Sequence, residues 1–296
     1  MKQAYGKARR PTRGTLSFIR EINTIIDEYL IQGYVLTVRQ LYYQLVARGA
    51  IPNNQAEYKR TANIVSEGRL AGLIDWDAIE DRTRAFLTNS RWDSPKQILQ
   101  SAADGFHMDM WATQPCRVFL IVEKEALQGV FSRICAQYDV PQLAARGYPS
   151  ISVVREFAEG PLSDAAINKS AHILHFGDHD PSGIDMSRDL IDRLTLILGH
   201  DHFDFTRCAL NMDQVREVKP PENPAKSTDS RFSGYAKKFG TSSWELDALP
   251  PQYLNNLVKT HVDKLINKKA WKARLEEIQG HKDSIAKIAA SYGRKK

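Results

Sequence analysis

The sequence predicts an α/β protein in two parts, a helical N-terminal part and an open parallel sheet behind it. Three observations carry this. Through the first hundred residues apolar side chains recur at helical spacing. From residue 117 onward, continuous apolar runs alternate with amphipathic stretches, the pattern of strands buried on both faces with helices between them. A length of 296 residues suits two domains, set here at 1–110 and 115–296.

The first element is a helix from Thr15 to Ile31, with Phe18, Ile22, Ile25, Ile26, Tyr29 and Leu30 as one stripe and Gly33 as its stop. The second lies between Thr37, a good N-cap, and Gly49. Within it Val38, Leu41, Tyr42 and Leu45 form the buried face, and Tyr43 is turned ~100° away from Tyr42. Arg39 is one turn before Tyr43 on that other side. Tyr42 therefore reads as core, and Tyr43 with Arg39 as accessible. A third helix runs from Asn54 to Leu70 and carries Lys59, Arg60 and Arg69. The short aromatic stretch Gly72–Arg82 suits a hairpin. Three helices and a hairpin make a winged helix-turn-helix, whose third helix enters the DNA major groove; a plain three-helix bundle is the alternative. Arg82, Arg84 and Arg91 would add phosphate contacts, and an amphipathic helix from Pro95 to Met110 leads into the second part.

That part opens with the apolar strand Arg117–Val122, ending in Glu123-Lys-Glu125, and a helix with Leu127, Val130, Phe131 and Ile134 inside. A short strand lies within Pro141–Gly147, a helix at Ser150–Phe157, and a loop through Gly160-Pro-Leu-Ser. The strand Ala171–Phe176 leads to Asp178-His-Asp180-Pro-Ser-Gly183, a helix follows from Ile184 to Leu198, and Phe203–Leu210 is a further strand. Tyr253–Tyr292 reads as a basic helical region.

Asp178 and Asp180 are two apart on extended chain and point the same way. Paired carboxylates repel unless a cation sits between them, and hard oxygen ligands suit Mg²⁺. Glu123 and Asp178 both fall at carboxyl ends of strands, where open α/β sheets bind ligands. Glu123, Asp178 and Asp180 are thus the predicted metal ligands, with room for one or two ions. Acids at strand ends also occur without catalysis, and phosphatases of the haloacid dehalogenase type use Asp-x-Asp, but after the first strand of their domain. His172 and His175 lie on opposite sides of their strand, which speaks against zinc, and His179 is expected to point away from the two aspartates.

Net charge is +6, unevenly spread. Residues 1–20 carry +6 with no acid; residues 259–296 hold eleven Lys/Arg against four acids, +7, leaving −7 for the middle. Basic ends on an acidic body suit double-stranded DNA, or are solvated tails. No apolar run reaches the ~20 residues of a membrane span, so no membrane association is expected. The basic N-terminus has no apolar segment after it, so no secretory signal is expected. Cys116, Cys135 and Cys208 have no Cys-x-x-Cys spacing, which argues for a reducing, cytoplasmic setting and against a zinc ribbon.

Val122-Glu123-Lys124-Glu125-Ala126 followed by Gly177-Asp178-His179-Asp180-Pro181-Ser182-Gly183 resembles the Toprim domain of topoisomerases and primases. In particular it resembles the A subunit of topoisomerase VI and the related meiotic double-strand-break protein. That family also carries an upstream winged-helix domain with an Arg-x-x-[Tyr/Phe]-Tyr motif, matched here by Arg39-Gln40-Leu41-Tyr42-Tyr43. Trp244-Glu245-Leu246-Asp247-Ala248-Leu249 also looks like a segment common near the family's C-terminal region. The resemblance runs from about residue 15 to 255. The chain is shorter than a typical A subunit, and residues 219–234 have no counterpart.

The resemblance implies a Toprim Rossmann-like sheet with a helical C-terminal extension. It implies a type IIB topoisomerase-like activity in which Tyr43 attacks a phosphodiester and becomes linked to the 5′ end of the cut DNA, with Arg39 beside it and Mg²⁺ on the carboxylates. It implies a homodimer whose active sites pair the tyrosine of one subunit with the metal site of the other. It also implies a separate GHKL-type ATPase B-like subunit, since no Walker-type Gly-rich loop is present. The alternatives are a Toprim nuclease in which water attacks, and a protein that binds DNA without cutting it.

Overall fold

The computed structural model describes residues 2–5, 11–80, 89–166 and 169–292. Arg82 and Arg84 lie outside them.

Helix α1 (Arg13–Ile31) starts where Thr12 Oγ1 accepts the Thr15 N–H, and buries Ile22 and Ile25 completely. Helix α2 (Val38–Ala47) opens on a capping box. Thr37 Oγ1 accepts the Gln40 N–H at 3.2 Å and Gln40 Oε1 accepts the Thr37 N–H at 2.9 Å, so two end donors are satisfied at once. Helix α3 (Gln55–Leu70) is capped by Asn54. The three share one core with Leu36, Leu41, Leu45, Val65 and Ile74.

The expected hairpin is absent from residues 72–80. Asp75 instead caps a 3₁₀ turn (Trp76–Ala78), and Ile79 forms one isolated bridge with Leu36. The Trp76 indole donates to the Gln3 carbonyl and takes the Tyr5 ring edge-on. The segment is thus tied to the N-terminus and to α2's approach, and no wing stands among the described residues.

The second unit is a four-stranded parallel sheet of β1 (Cys116–Val122), β2 (Gln142–Ala144), β3 (Ser170–Phe176) and β4 (Asp204–Ala209) in the order β2-β1-β3-β4. Its alternation builds two cores. Val118, Leu120, Val122, Leu174 and Phe176 pack under α5 (Glu125–Gln137) and α11 (Pro251–Leu265). Phe119, Ile121, Ala171 and Ile173 pack under α6 (Ile151–Phe157) and α8 (Pro181–Leu198). The expected loop at Gly160–Ser163 is helical instead. A π turn (Ala158–Leu162) leads into α7 (Ser163–Ala166), and the wider turn accommodates Pro161, which has no N–H to give. Ala158 and Leu162 are both fully buried, which anchors the turn.

Residues 219–234 have structure of their own. After α9 (Met212–Val218), β5 (Glu222–Pro224) pairs antiparallel with β6 (Ser242–Trp244), and α10 (Phe232–Phe239) lies between them. Helix α12 (Lys268–Ser291) runs along α4 (Pro95–Gly105), with Lys282 Nζ donating to the Asp104 carbonyl. Met110 and Trp111 join the core of the sheet unit. No helix among the described residues is long and apolar enough to cross a membrane.

Candidate active site

Parallel strands β1 and β3 run in register to their ends, with Val122 opposite Phe176. Glu123 and the loop 177–183 therefore leave the sheet side by side. Glu123 Oε2 accepts the Asp178 N–H at 2.8 Å, so the two predicted ligands from different strands meet. Asp180 is the N-cap of α8, its Oδ1 accepting the Gly183 N–H at 2.6 Å and the Ser182 hydroxyl at 3.0 Å. Gly183 must be glycine: a Cβ there would collide with the Asp178 carbonyl and come 3.1 Å from Glu123 Oε2. Burial pushes the Glu123 carboxyl above its ordinary range, against the Asp178 N–H that favours its charged form.

Two residues hold this loop in shape, and neither was singled out in the sequence for that task. Arg207 of β4 donates to the carbonyls of Gly177, Asp178, Gly183 and Leu210 and to the Ser187 hydroxyl. Burial lowers it to about 10. His179 points away from the aspartates, as expected, its Nδ1 2.8 Å from the Tyr235 hydroxyl among Phe239 and Trp244. Burial pushes His179 down to about 4, so it is neutral. The stretch from β5 to β6, which carries Tyr235, Phe239 and Trp244, is thus a clamp on the loop.

Asp178 belongs to a network that reaches the helical unit through Lys124, Glu245 and Asp247. Asp178 Oδ1 accepts the Leu246 N–H at 2.8 Å and its Oδ2 pairs with Lys124 Nζ at 2.8 Å. Lys124 also binds Glu245 and stands 3.6 Å from Asp247. Arg39 reaches in from α2 to Glu245 at 2.7 Å and Asp247 at 2.8 Å. Two cations and three carboxylates therefore form one interlocked cluster across the junction of the two units. Burial pushes Asp178 up, to about 8, with Lys124 pulling the other way. Burial also opposes the charge on Lys124, but Asp178, Asp247 and Glu245 outweigh it and hold the ammonium above the usual lysine range. Sequence reading placed Glu245 and Asp247 only in a family-like segment; the signal available was their alternation after Trp244, which sets two acids near one another.

Tyr43 lies beside this cluster, but it is not accessible. Tyr42 and Tyr43 are 4% and 5% exposed. The helical wheel placed only Tyr42 in the core, because it knew only α2's own bundle. The other side of α2 is covered by the Glu245–Leu249 segment, whose Ala248 enters the helical core. Arg39 lies over the Tyr43 ring, 5.8 Å from its centroid. Burial, helped by Glu245, raises the Tyr43 phenol to about 12; Arg39 and Lys124 pull it down without prevailing. A cleft of about 280 Å³ reaches Tyr43, lined also by Arg39, Tyr42, Asn54, Tyr58 and Asn223.

Of the predicted DNA contacts on α3, Lys59 and Arg60 are exposed, Arg60 paired with Glu57 at 2.6 Å. Arg69 is turned inward, donating to the Trp76 and Ile79 carbonyls and stacking on the Trp76 ring. It pins the 72–80 segment.

The donor chemistry of Glu123, Asp178 and Asp180 suits Mg²⁺, all hard oxygen, with Glu123 Oε1 and Asp180 Oδ2 carrying no hydrogen bond among the described residues. Their present arrangement is not a metal cage. Among the described residues no three acidic, His or Cys side chains are grouped to hold an ion, and Asp178 is already engaged by Lys124. Compared with known proteins, the chain matches no family model, no curated protein and no solved structure.

Proposed function

We propose that this chain is a DNA-cleaving transesterase of the type IIB topoisomerase A-subunit kind, with a helix-turn-helix N-terminal unit and a Toprim-like sheet. The observation that carries the reading is the meeting of Arg39 and Tyr43 of α2 with Lys124, Asp178, Glu245 and Asp247 at the carboxyl edge of the sheet. In the proposed reaction Tyr43 Oη attacks phosphorus. The Oη–P bond forms as the P–O3′ bond breaks, the phenolic proton passes to solvent, and the 3′ oxygen takes up a proton. The phosphotyrosine keeps the phosphoester bond energy, so the reverse step reseals the strand.

Arg39 supplies a planar guanidinium suited to two phosphate oxygens. Glu245 and Asp247 now fill that role, so a DNA phosphate would replace them as its partner. The buried Tyr43 phenol is a weak nucleophile as it stands. The reactive form is therefore one in which the helical unit has lifted from the Glu245–Leu249 segment. Glu123, Asp178 and Asp180 would hold Mg²⁺, which when bound supplies positive charge for the departing oxygen. The family's homodimer, with sites shared between subunits, and a GHKL-type ATPase partner belong to the same proposal, with double-stranded DNA as substrate.

One observation favours a second reading, a Toprim-like nuclease in which water attacks: Tyr43 is buried while Glu123 and Asp180 keep open oxygens. Covalent capture separates the two. Supercoiled plasmid is incubated with the protein and Mg²⁺, denatured, and examined for protein on DNA 5′ ends. The transesterase reading expects capture by wild type and none by Tyr43→Phe. Cutting by Tyr43→Phe at the wild-type rate would sink it and leave the nuclease.

A further inference from the structure

The cation at Asp178 in this structure is an amino group of the chain itself. Lys124 Nζ is 2.8 Å from Asp178 Oδ2, bound to Glu245, and 3.6 Å from Asp247 Oδ1. That last oxygen is buried and has no hydrogen-bond partner, on a residue only 2% exposed. An unpaired buried carboxylate oxygen is costly unless a cation serves it. The pocket is therefore built around a positive charge, and Lys124 is the charge present. A divalent ion at Asp178 would bring two more positive charges against an ammonium in hydrogen-bond contact with the same oxygen, which is strongly repulsive at low local dielectric.

We propose that Lys124 is the resident counter-ion of this pocket, that a divalent cation reaches Asp178 only by displacing it, and that a DNA phosphate takes up the displaced ammonium. Cation binding and DNA binding are then linked. The exchange trades the Lys124–Asp178 pair for a metal–Asp178 contact and a Lys124–phosphate contact, so neither the carboxylate nor the ammonium is left without an opposite charge. Without DNA the ammonium displaced from Asp178 keeps only Glu245 and Asp247, both already paired with Arg39, so cation affinity is low. With DNA it rises, and by reciprocity the cation tightens DNA binding by the same factor. Glu245 couples the exchange to the junction, because it is bound by both Lys124 and Arg39. The inference rests on the metal-site reading above.

The test uses Mn²⁺ as probe, with the full chain in a Tyr43→Phe background so that duplex DNA stays intact. Site-bound Mn²⁺ is read by electron paramagnetic resonance as the difference from the same protein carrying Asp178→Asn. The expected result is weak Mn²⁺ binding alone and tightening by roughly tenfold or more with a duplex. Lys124→Met, which removes the charge and keeps the bulk, should bind Mn²⁺ as tightly without DNA and gain nothing from it. Lys124→Arg should behave like wild type. Asp178-dependent binding that ignores both DNA and Lys124→Met would overturn the proposal and leave the metal site standing. If no variant, with or without DNA, shows Asp178-dependent Mn²⁺, the metal-site reading and this proposal fall together. A melting curve of Lys124→Met establishes that it is folded, and Lys124→Arg gives a second, charge-preserving comparison.

Discussion

His175 shows what one buried side chain does to this protein. It is fully buried in β3, its Nδ1 is 2.9 Å from the Ser187 hydroxyl, and its Nε2 has no partner. Burial, with nearby Arg207, pushes its pKa down to about 3. In the unfolded chain the same imidazole takes its proton near 6.5. Below that pH the unfolded state binds more protons than the folded one. The stability is thus complete above pH ~6.5 and is lost as pH falls toward the folded value, at up to ~1.4 kcal/mol per pH unit. Asp178, raised by burial, acts with the opposite sign, its contribution fading as pH rises. A comparison of wild type with His175→Gln cancels that contribution. Urea midpoints from pH 7 to 5 should fall less steeply in the variant; parallel slopes would place the acid sensitivity elsewhere.

At the scale of elements, α8 makes Asp180 both a structural and a chemical residue. As N-cap it satisfies the Gly183 N–H, and as a carboxylate it faces Glu123. Two substitutions separate the roles. Asp180→Ala loses the cap and should cost ~0.5–2 kcal/mol in urea unfolding, whereas Asp180→Asn caps as well as Asp and should stay near wild type. Both should lower Mg²⁺-dependent cleavage. Full cleavage by a stable Asp180→Asn would remove Asp180 from the metal set. The start of α2 was legible in the sequence because Thr37 is a local signal, acting within three residues of itself, whereas Asn54 and Asp180 prove to be caps only in the fold, and α8 begins at Pro181 and not at Ile184. The 72–80 segment was not legible, because Trp76 is held by Gln3 and Arg69 rather than by a facing strand. Nor was the clamp from β5 to β6, whose two strands are three residues each and whose purpose, holding His179, depends on another element.

Over the whole molecule, the junction between the helical unit and the sheet unit is polar. Arg39 crosses it to Glu245 and Asp247, Asn53 donates to the Glu222 carbonyl and Asn223 Oδ1, and Asn255 donates to the Tyr34 hydroxyl. Such a junction opens more readily than an apolar one. Arg39 is partly exposed, so salt screens its pairs in part. Replacing both acids, Glu245→Gln with Asp247→Asn, should loosen the junction and expose Tyr43. Nitration mapped by mass spectrometry is the measurement: Tyr43 protected in wild type and modified in the double variant. Equal protection in both would mean that apolar packing around Ala248, and not the ion pairs, keeps the tyrosine covered.

The sequence by itself determined α1, α2, α3, α5, α6 and α8, the parallel sheet and the edge where Glu123 and Asp178 meet. Those follow from periodicities of two and 3.6 and from caps, all read within a few residues. It also put Arg39 beside Tyr43, one helical turn apart. Only the tertiary structure decided what covers that pair and what neutralises Asp178. Tyr43 is buried by a segment some two hundred residues away, and Asp178 is matched by Lys124 under the influence of Glu245 and Asp247. The physical reason is that burial and electrostatics are sums over everything nearby in space. A wheel drawn on one helix, or a pair of acids on one loop, contains only its own share of them.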